Sequence, residues 1–322
     1  MIGNQEELDF YLRKIRYVKN PERKTALSLE IGEYYYSRND QINAEIFFNK
    51  TLELAKKNNQ TKIMHRSYYL LAIIYHNQGS DLKALDCFKK NLEIAQTLND
   101  DQELIKALIN CANIETSLAN YDEAVNIYYE ALEKATENED RELLAKIHNN
   151  VGTTFSYMSQ YDKALFHYKT GLKLKGKSID ANSLASSLSN MGNIYKLNGD
   201  KALAVSYFKK MIKLTEATNS LPHYKILAYM NLASLYKLQN KIDLHFETLF
   251  KAKEYAREKA MTSKYYDLLL KIAASKMDFL EDPEPFFDEI LTNIDRIDNK
   301  KFALNTYYLY ASYLQSNKMH EK

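Results

Sequence analysis

Apolar and polar residues alternate with a helical period along most of the chain, and this pattern recurs about every forty residues. Apolar positions three and four apart share one face of a helix. A small residue, Gly or Ala, recurs at spacings of 40, 40, 40, 40 and 41 residues. This small-residue column contains Gly32, Ala72, Ala112, Gly152, Gly192 and Ala233, and Ala273 and Ala311 extend it. A fixed period of this length predicts a repeat protein.

Two further columns follow the small residue in each unit. The first contains Ala44, Ala84, Ala124, Ala164 and Ala204, with His245 in the sixth unit. Four positions further on, the second contains Phe48, Phe88, Tyr128, Tyr168, Phe208 and Leu249. Each unit is therefore predicted to form two amphipathic helices. A small residue on one helix leaves room for the ring that the other helix presents.

The ends of the chain depart from this pattern. Leu8, Leu12 and Ile15 fall on one face of an amphipathic segment that precedes Pro21, and Pro is favoured at the start of a helix. In the seventh unit, the segment Asp282-Pro283-Glu284-Pro285 replaces the Ala column. We predict an N-terminal capping helix in residues 1–20, six regular repeats in 21–262, a degenerate seventh repeat in 263–298, and a partial eighth repeat or C-terminal cap in 299–322.

The order of residues within a unit resembles the tetratricopeptide repeat family. Leu188, Met191-Gly192, Tyr195, Ala204 and Phe208 reproduce most of the family's order, and the resemblance covers roughly residues 21–316. The period exceeds the commonest one of about 34 residues and is similar to the longer repeats of kinesin light chains, Pins-type adaptors and bacterial signalling proteins. We therefore expect an all-α, right-handed superhelical solenoid of about seven to eight antiparallel helix pairs, with some sixteen helices.

Composition and charge exclude several other classes of protein. The 322 residues include 44 basic and 42 acidic ones, so a net charge of +2 supplies no general attraction for nucleic acid or acidic membranes. The N-terminus lacks the apolar segment of a signal peptide, and the longest strongly apolar stretch is residues 70–75. Two cysteines are too few for a disulfide framework. We expect a cytoplasmic protein that binds neither nucleic acid nor membranes.

No catalytic or metal-binding motif is present in the sequence. Histidines are not paired three or four residues apart, and glycine-rich phosphate loops and nucleophile motifs are lacking. Cys87 and Cys111 fall beside packing positions, which predicts buried small side chains rather than reactive thiols. His245 is interpreted as a partly exposed structural residue. We therefore predict a non-enzymatic protein without a metal or cofactor.

The most informative positions for function lie two residues before the small-residue column. Four consecutive units carry Asn there, although Asn is a poor residue inside a helix because it competes for its own backbone. These residues are Asn110, Asn150, Asn190 and Asn231. Neighbours on the same helix faces add Arg66, Lys106, Asn113, Lys146, Thr153 and Asn193. In the family that this chain resembles, first helices line the concave surface, so these ten side chains are predicted to line a peptide-binding groove with cations at one end.

Two interpretations of the Asn column remain open. Each amide offers a donor and an acceptor that match a peptide backbone, and similar Asn residues of kinesin light chains contact bound peptide. Alternatively, each Asn bonds the neighbouring repeat and only holds the solenoid together. The first interpretation predicts a scaffold for an extended, acidic peptide or partner tail.

A different class of function is also open. The chain is then the N-terminal regulatory or sensory region of a longer signalling protein, with a kinase, cyclase or transcription-regulating output domain beyond residue 322. Either way we expect a protein or peptide partner, and the solenoid ends also allow copies of the chain to associate.

Overall fold

The computed structural model describes residues 5–176, 180–297 and 299–320. Within these ranges the regular structure is sixteen α-helices with short 3-10 segments, and no strand occurs. The predicted all-α class is therefore confirmed. The chain divides into two compact units, Met1–Gly176 and Lys177–Lys322, called unit 1 and unit 2 below.

Unit 1 consists of helices that pack in chain order. They are α1 (Gln5–Lys14), α2 (Pro21–Ser37), α3 (Gln41–Lys57), α4 (Thr61–Asn77), α5 (Asp81–Ala95), α6 (Asp101–Ser117), α7 (Tyr121–Glu137), α8 (Arg141–Tyr157) and α9 (Tyr161–Lys175). The pairs α2/α3, α4/α5, α6/α7 and α8/α9 make the most extensive contacts, and each pair also packs on the next. The first helix of each pair carries the small-residue column.

Unit 2 continues the same arrangement with its own pairs. Its helices are α10 (Ala181–Leu197), α11 (Lys201–Thr218), α12 (Pro222–Leu238), α13 (Ile242–Glu258), α14 (Thr262–Asp278), α15 (Glu284–Thr292) and α16 (Lys300–His320), with a 3-10 turn at Ile294–Arg296. The pairs α10/α11 and α12/α13 pack closely, and α14 contacts both α15 and α16. The short α15 begins at the proline-containing segment because Pro lacks the N–H that a helix interior needs.

Short turns connect the helices, and most of those that the structure describes contain one left-handed residue. Gly79, at φ 73°, ends α4, and the next residue, Ser80, donates its backbone N–H to the carbonyl of Tyr75 at 2.8 Å. Gly199, at φ 86°, occupies the same place after α10. A left-handed residue after the last helical turn satisfies carbonyls that the helix leaves open. Both glycines therefore supply the left-handed conformation that these helix ends use.

The interior confirms the predicted fit between small residues and rings. A Cβ added to Gly192 would lie 2.8 Å from Cε1 of Phe208, and one added to Gly152 would lie 3.0 Å from Cε1 of Tyr168. The five alanines of the Ala column are fully buried: Ala44, Ala84, Ala124, Ala164 and Ala204. A methyl group at Gly192 would therefore require the ring of Phe208 to shift, and one at Gly152 would require a smaller shift of the ring of Tyr168.

Three side chains at packing positions give a mixed outcome for the sequence predictions. Cys87 and Cys111 are buried, and burial raises their thiol pKa values to about 11 and about 12, so the predicted packing role is confirmed. The prediction of a partly exposed His245 is wrong, because only 4 % of this residue is exposed. Its Nδ1 lies 2.9 Å from the carbonyl oxygen of Ala233, a contact that offsets part of the cost of burial. Burial lowers the pKa of His245.

The two ends of the chain differ in how far their apolar side chains are covered. On α1, Leu8 is buried against α2, and Ile15, in the turn that follows, is buried with it. On α16, Leu304 and Tyr308 are each 72 % exposed. The domain boundaries stay a prediction, but α16 leaves more large apolar side chains in solvent than α1, on which Phe10 is 57 % exposed.

Candidate functional site

Four of the predicted groove residues meet in one concavity of unit 1. It has a volume of about 290 Å³ and lies between the first helices α4, α6 and α8. The predicted residues among its lining are Arg66, Lys106, Asn110 and Lys146, and other lining residues include His65, Tyr69, Asn91 and Glu103. We call this concavity the cationic groove. Its polar side chains come from consecutive repeats because equivalent helix positions stack from one repeat to the next.

The cations of this groove differ in how they are held. The Nε and Nη2 atoms of Arg66 both lie 2.9 Å from Oε1 of Glu33. Lys106 donates from Nζ to Oε1 of Glu103 at 2.7 Å. Within the described part of the chain, Lys146 forms no ion pair. Three cations therefore face two carboxylates, which leaves the groove with a local excess of one positive charge.

The floor of the cationic groove contains a polar group without a partner. Nε2 of His65 is buried and makes no hydrogen bond to the described residues, whereas its Nδ1 lies 3.9 Å from Oε2 of Glu103. Burial lowers the pKa of His65. Asn91, which is 1 % exposed, donates from Nδ2 to the carbonyl of His65 at 2.7 Å and so fixes the backbone there.

Sequence analysis missed His65, Tyr69 and Asn91 as lining residues. Tyr69 follows Arg66 by three positions and His65 by four, so helix spacing offered a signal for both. Asn91 lies on a second helix, α5, and its position next to the groove depends on how two helices pack.

Three other predicted residues of unit 1 form side-chain hydrogen bonds with other residues of the chain. Asn150 donates from Nδ2 to Oδ1 of Asn113 at 3.0 Å, and the hydroxyl of Tyr128 donates to the same oxygen at 2.6 Å. The hydroxyls of Thr153 and Tyr168 lie 2.9 Å apart. Because Asn113 and Asn150 belong to neighbouring repeats, this pair fits the interpretation in which Asn holds the repeats together.

Four of the predicted Asn residues have side-chain amides that make no hydrogen bond to a described residue. Asn110 lines the cationic groove, and its side chain makes no hydrogen bond to any residue that the structure describes. Asn190 and Asn193 on α10 and Asn231 on α12 are half-buried in unit 2 and likewise lack side-chain hydrogen bonds to described residues. The ten predicted residues therefore fall into three groups: four in the cationic groove, three in the network of unit 1, and three on unit 2.

Comparisons of the sequence identify the repeats in both units. Residues 64–137 and 103–177 match one tetratricopeptide repeat model, and residues 185–218 match another. Residues 64–177 and 185–218 are therefore tetratricopeptide repeats. A comparison with curated proteins finds no sequence match.

Several solved structures share this fold. The chain is similar to the apo form of RapI, with a TM-score of 0.68 and 14 % identity over 91 % of this chain and 82 % of that one. It is also similar to the apo form of the quorum sensor NprR from B. thuringiensis, with a TM-score of 0.64 and 17 % identity over 97 % and 88 % of the two chains. A sensor-containing STAND protein, PH0952 from Pyrococcus horikoshii, gives a TM-score of 0.63 and 18 % identity over 95 % and 49 %. At these low sequence identities, the structural similarity establishes only a shared fold.

Two searches of the described residues bear on other kinds of site. Every helix there is too short or too polar to cross a bilayer. No group of three or more His, Cys, Asp or Glu side chains is placed to hold a metal ion in that part of the chain.

Proposed function

We propose that this tetratricopeptide repeat protein is a non-enzymatic scaffold whose cationic groove binds an extended, acidic peptide or the acidic tail of a partner protein. The observation that carries this proposal is the convergence of Arg66, Lys106, Asn110 and Lys146 from three successive first helices. Equivalent positions of successive repeats line this groove, so the groove is elongated across the repeats. An extended ligand can therefore contact several repeats at once.

The charges in the groove favour an acidic ligand of moderate affinity. Glu33 and Glu103 hold Arg66 and Lys106 in place, so a ligand carboxylate must share these cations with carboxylates of the chain. Lys146 is available without such competition from the described residues. Exposed ion pairs are each worth about 0.2–1 kcal/mol and are weakened by salt. We therefore expect the acid preference to be strongest at low ionic strength.

Asn110 contributes the part of recognition that does not depend on charge. Its amide lies in the groove and makes no hydrogen bond to a described residue, and a peptide group offers the complementary acceptor and donor. One such pair adds about 0.5–1.5 kcal/mol. The groove therefore combines a backbone contact with a charge preference.

A second candidate is that the chain acts as the sensory region of a longer signalling protein. The similarity to NprR, described as a quorum sensor, and to a STAND protein with a tetratricopeptide repeat sensor supports this possibility. The cationic groove would then receive the signal, and the output domain would lie beyond residue 322. Both candidates use the same groove, so one binding experiment tests them together.

The test uses three fluorescein-labelled peptides of twelve residues, one rich in Asp and Glu, one rich in Lys and one of Gly, Ser and Asn. Fluorescence polarisation measures their binding to the full chain and to a Lys106→Glu, Lys146→Glu double variant. The control variant, Lys169→Glu with Lys173→Glu, makes the same change in net charge at exposed positions of α9.

We expect the acidic peptide to bind best and to lose about tenfold in affinity in the groove variant at low salt, with a smaller loss at high salt. The control should bind nearly as wild type. An equal loss in both double variants, or no preference for the acidic peptide, would contradict the proposal.

A further inference from the structure

Unit 2 contains a second groove, which is wider and more apolar than the cationic groove. It has a volume of about 1000 Å³ and lies between α12, α14 and α16. Leu270 and Phe302, which are 7 % and 8 % exposed, form its floor. Other apolar residues of the lining are Met230, Ala274, Leu304, Tyr308 and Leu309. We call this concavity the apolar groove.

The rim of the apolar groove exposes large apolar side chains. Leu304 and Tyr308, four residues apart on α16, are each 72 % exposed and point along one face of the helix. Single exposed apolar residues are common, but two of them beside an apolar floor form a contiguous patch. Such patches mark interaction sites.

Lysines give this patch a preference for acidic partners. Lys271 and Lys301 line the groove, and neither forms an ion pair with a residue that the structure describes. Asp267 is the carboxylate in the lining, and one of its oxygens lies 3.4 Å from Nζ of Lys264. Burial, together with the charge of Lys271, lowers the pKa of Lys196, which lies on α10. The groove therefore has excess positive charge that is not balanced locally.

We propose that the apolar groove is a second docking site, which binds a segment of a partner protein presenting two or more bulky apolar side chains next to Asp or Glu. The apolar side chains would cover the floor and Tyr308, and the carboxylate would pair with Lys271 or Lys301. A second copy of this chain offers the same excess of lysines at its own groove. Charge complementarity therefore favours an acidic partner segment over self-association.

This site is independent of the cationic groove, because it lies in the other unit and selects by apolar contact. Burial of apolar surface favours binding in proportion to the area removed from water, and this contribution is not weakened by salt as an ion pair is. Binding in the apolar groove should therefore persist at an ionic strength that weakens binding in the cationic groove.

The test begins with a library of random sixteen-residue peptides displayed on phage and selected against the full chain at 0.5 M NaCl. Enriched peptides are synthesised, and their affinity is measured for wild type, for Leu304→Ser with Tyr308→Ser, and for Lys271→Glu. Because Leu304 and Tyr308 are exposed, their replacement should leave the fold intact, and a thermal melt checks this. Leu238→Ser is the matched control, since Leu238 is 58 % exposed on α12 but outside the groove lining.

We expect enriched peptides to combine Phe, Leu or Tyr with Asp or Glu, and to bind the Leu304/Tyr308 variant about tenfold more weakly than wild type. The Lys271→Glu variant should also bind them more weakly, whereas the Leu238→Ser control and the Lys106→Glu, Lys146→Glu variant should bind them normally. Loss of binding in the Lys106/Lys146 variant alone would assign the peptides to unit 1 and overturn this proposal.

Two further outcomes would also overturn it. One is a selection that yields no peptide whose binding depends on Leu304, Tyr308 or Lys271. The other is sedimentation showing a dimer of the wild type that the Leu304/Tyr308 variant abolishes, since a second copy would then occupy the groove.

Discussion

The cationic groove of unit 1 and the apolar groove of unit 2 are formed by equivalent positions of the repeat but carry different side chains. The position six residues before the small residue is Arg66, Lys106 or Lys146 in the first groove and Asp267 or Asn305 in the second. At the position two before it, the first groove has Asn110, and the second has Lys271 and Leu309.

The interiors of the two units do not differ in this way. Gly152 faces the ring of Tyr168 in unit 1, as Gly192 faces that of Phe208 in unit 2. Interior positions must fit a neighbour at close range, so small residues and rings predominate there, and Leu249 is the exception in the ring column. Groove positions face solvent and are free to vary. The comparison teaches that one scaffold can present two grooves of different chemistry.

The largest effect should come from a change in the shared interior. Gly192→Leu would place a side chain against the ring of Phe208, where even a Cβ would lie 2.8 Å away. Overpacking of this kind costs about 1–3 kcal/mol or more. Denaturant unfolding should show the loss, and hydrogen exchange should place it in α10 and α11.

Two variants sharpen this first prediction. Ala202→Leu adds the same kind of side chain at an exposed position of α11 and should leave stability nearly unchanged. Gly152→Leu should destabilise unit 1 about as much as Gly192→Leu destabilises unit 2. If both glycine variants were as stable as the wild type, the small-residue column would not be a close contact between helices.

A second prediction concerns how the stability of unit 1 depends on pH. In unit 1, the Nδ1 atoms of His148 and His167 lie 2.9 Å apart. Burial, with a smaller contribution from His148, lowers the pKa of His167 from 6.5 to about 4. The unfolded chain takes up a proton below about pH 6.5 that the folded chain resists until about pH 4, so the free energy of unfolding should fall across this window by up to about 1.4 kcal/mol for each pH unit.

The measurement is denaturant unfolding at several pH values between 4 and 7.5, for wild type and for His167→Gln. Carboxylates also make the free energy of unfolding depend on pH in acid. The contribution of His167 is therefore the difference between the slopes of wild type and variant. We expect a shallower slope for the variant. Identical slopes would show that His167 is protonated equally well in the folded and unfolded chains.

The smallest effects should separate the two interpretations of the Asn column. Asn110→Ala removes an amide that has no partner among the described residues, so it should weaken binding of the acidic peptide by about 2- to 12-fold, or about 0.5–1.5 kcal/mol, without changing stability. Asn150→Ala removes the bond to Asn113 and should lower stability by a similar free energy. Titration calorimetry and thermal melts measure the two quantities. The reverse outcome, with Asn110 affecting stability and Asn150 binding, would contradict this assignment.

Much of the candidate site was foreseeable from helix spacing. Residues 66, 106 and 146 recur at the repeat period and meet in one groove, because equal positions on equivalent helices stack. The pairing of Lys106 with Glu103 also follows spacing, since three residues separate them on one helix. Contacts between different helices could not be foreseen in this way. Arg66 reaches Glu33 across 33 residues, and Asn150 reaches Asn113 across 37.

The sequence alone determined that the chain forms paired helices with small residues opposite rings, because that pattern depends on spacing within one helix and on the size of side chains. Tertiary structure alone decided which polar side chains stay available for a ligand. That outcome depends on the angle and offset between neighbouring repeats, which set the distance from Asn150 to Asn113 while leaving Asn110 without a partner among the described residues. A shift of about an ångström would break such a hydrogen bond, whereas the packing of apolar faces is not directional. The fold therefore follows from a local sequence pattern, whereas the candidate binding surface depends on how neighbouring repeats are arranged.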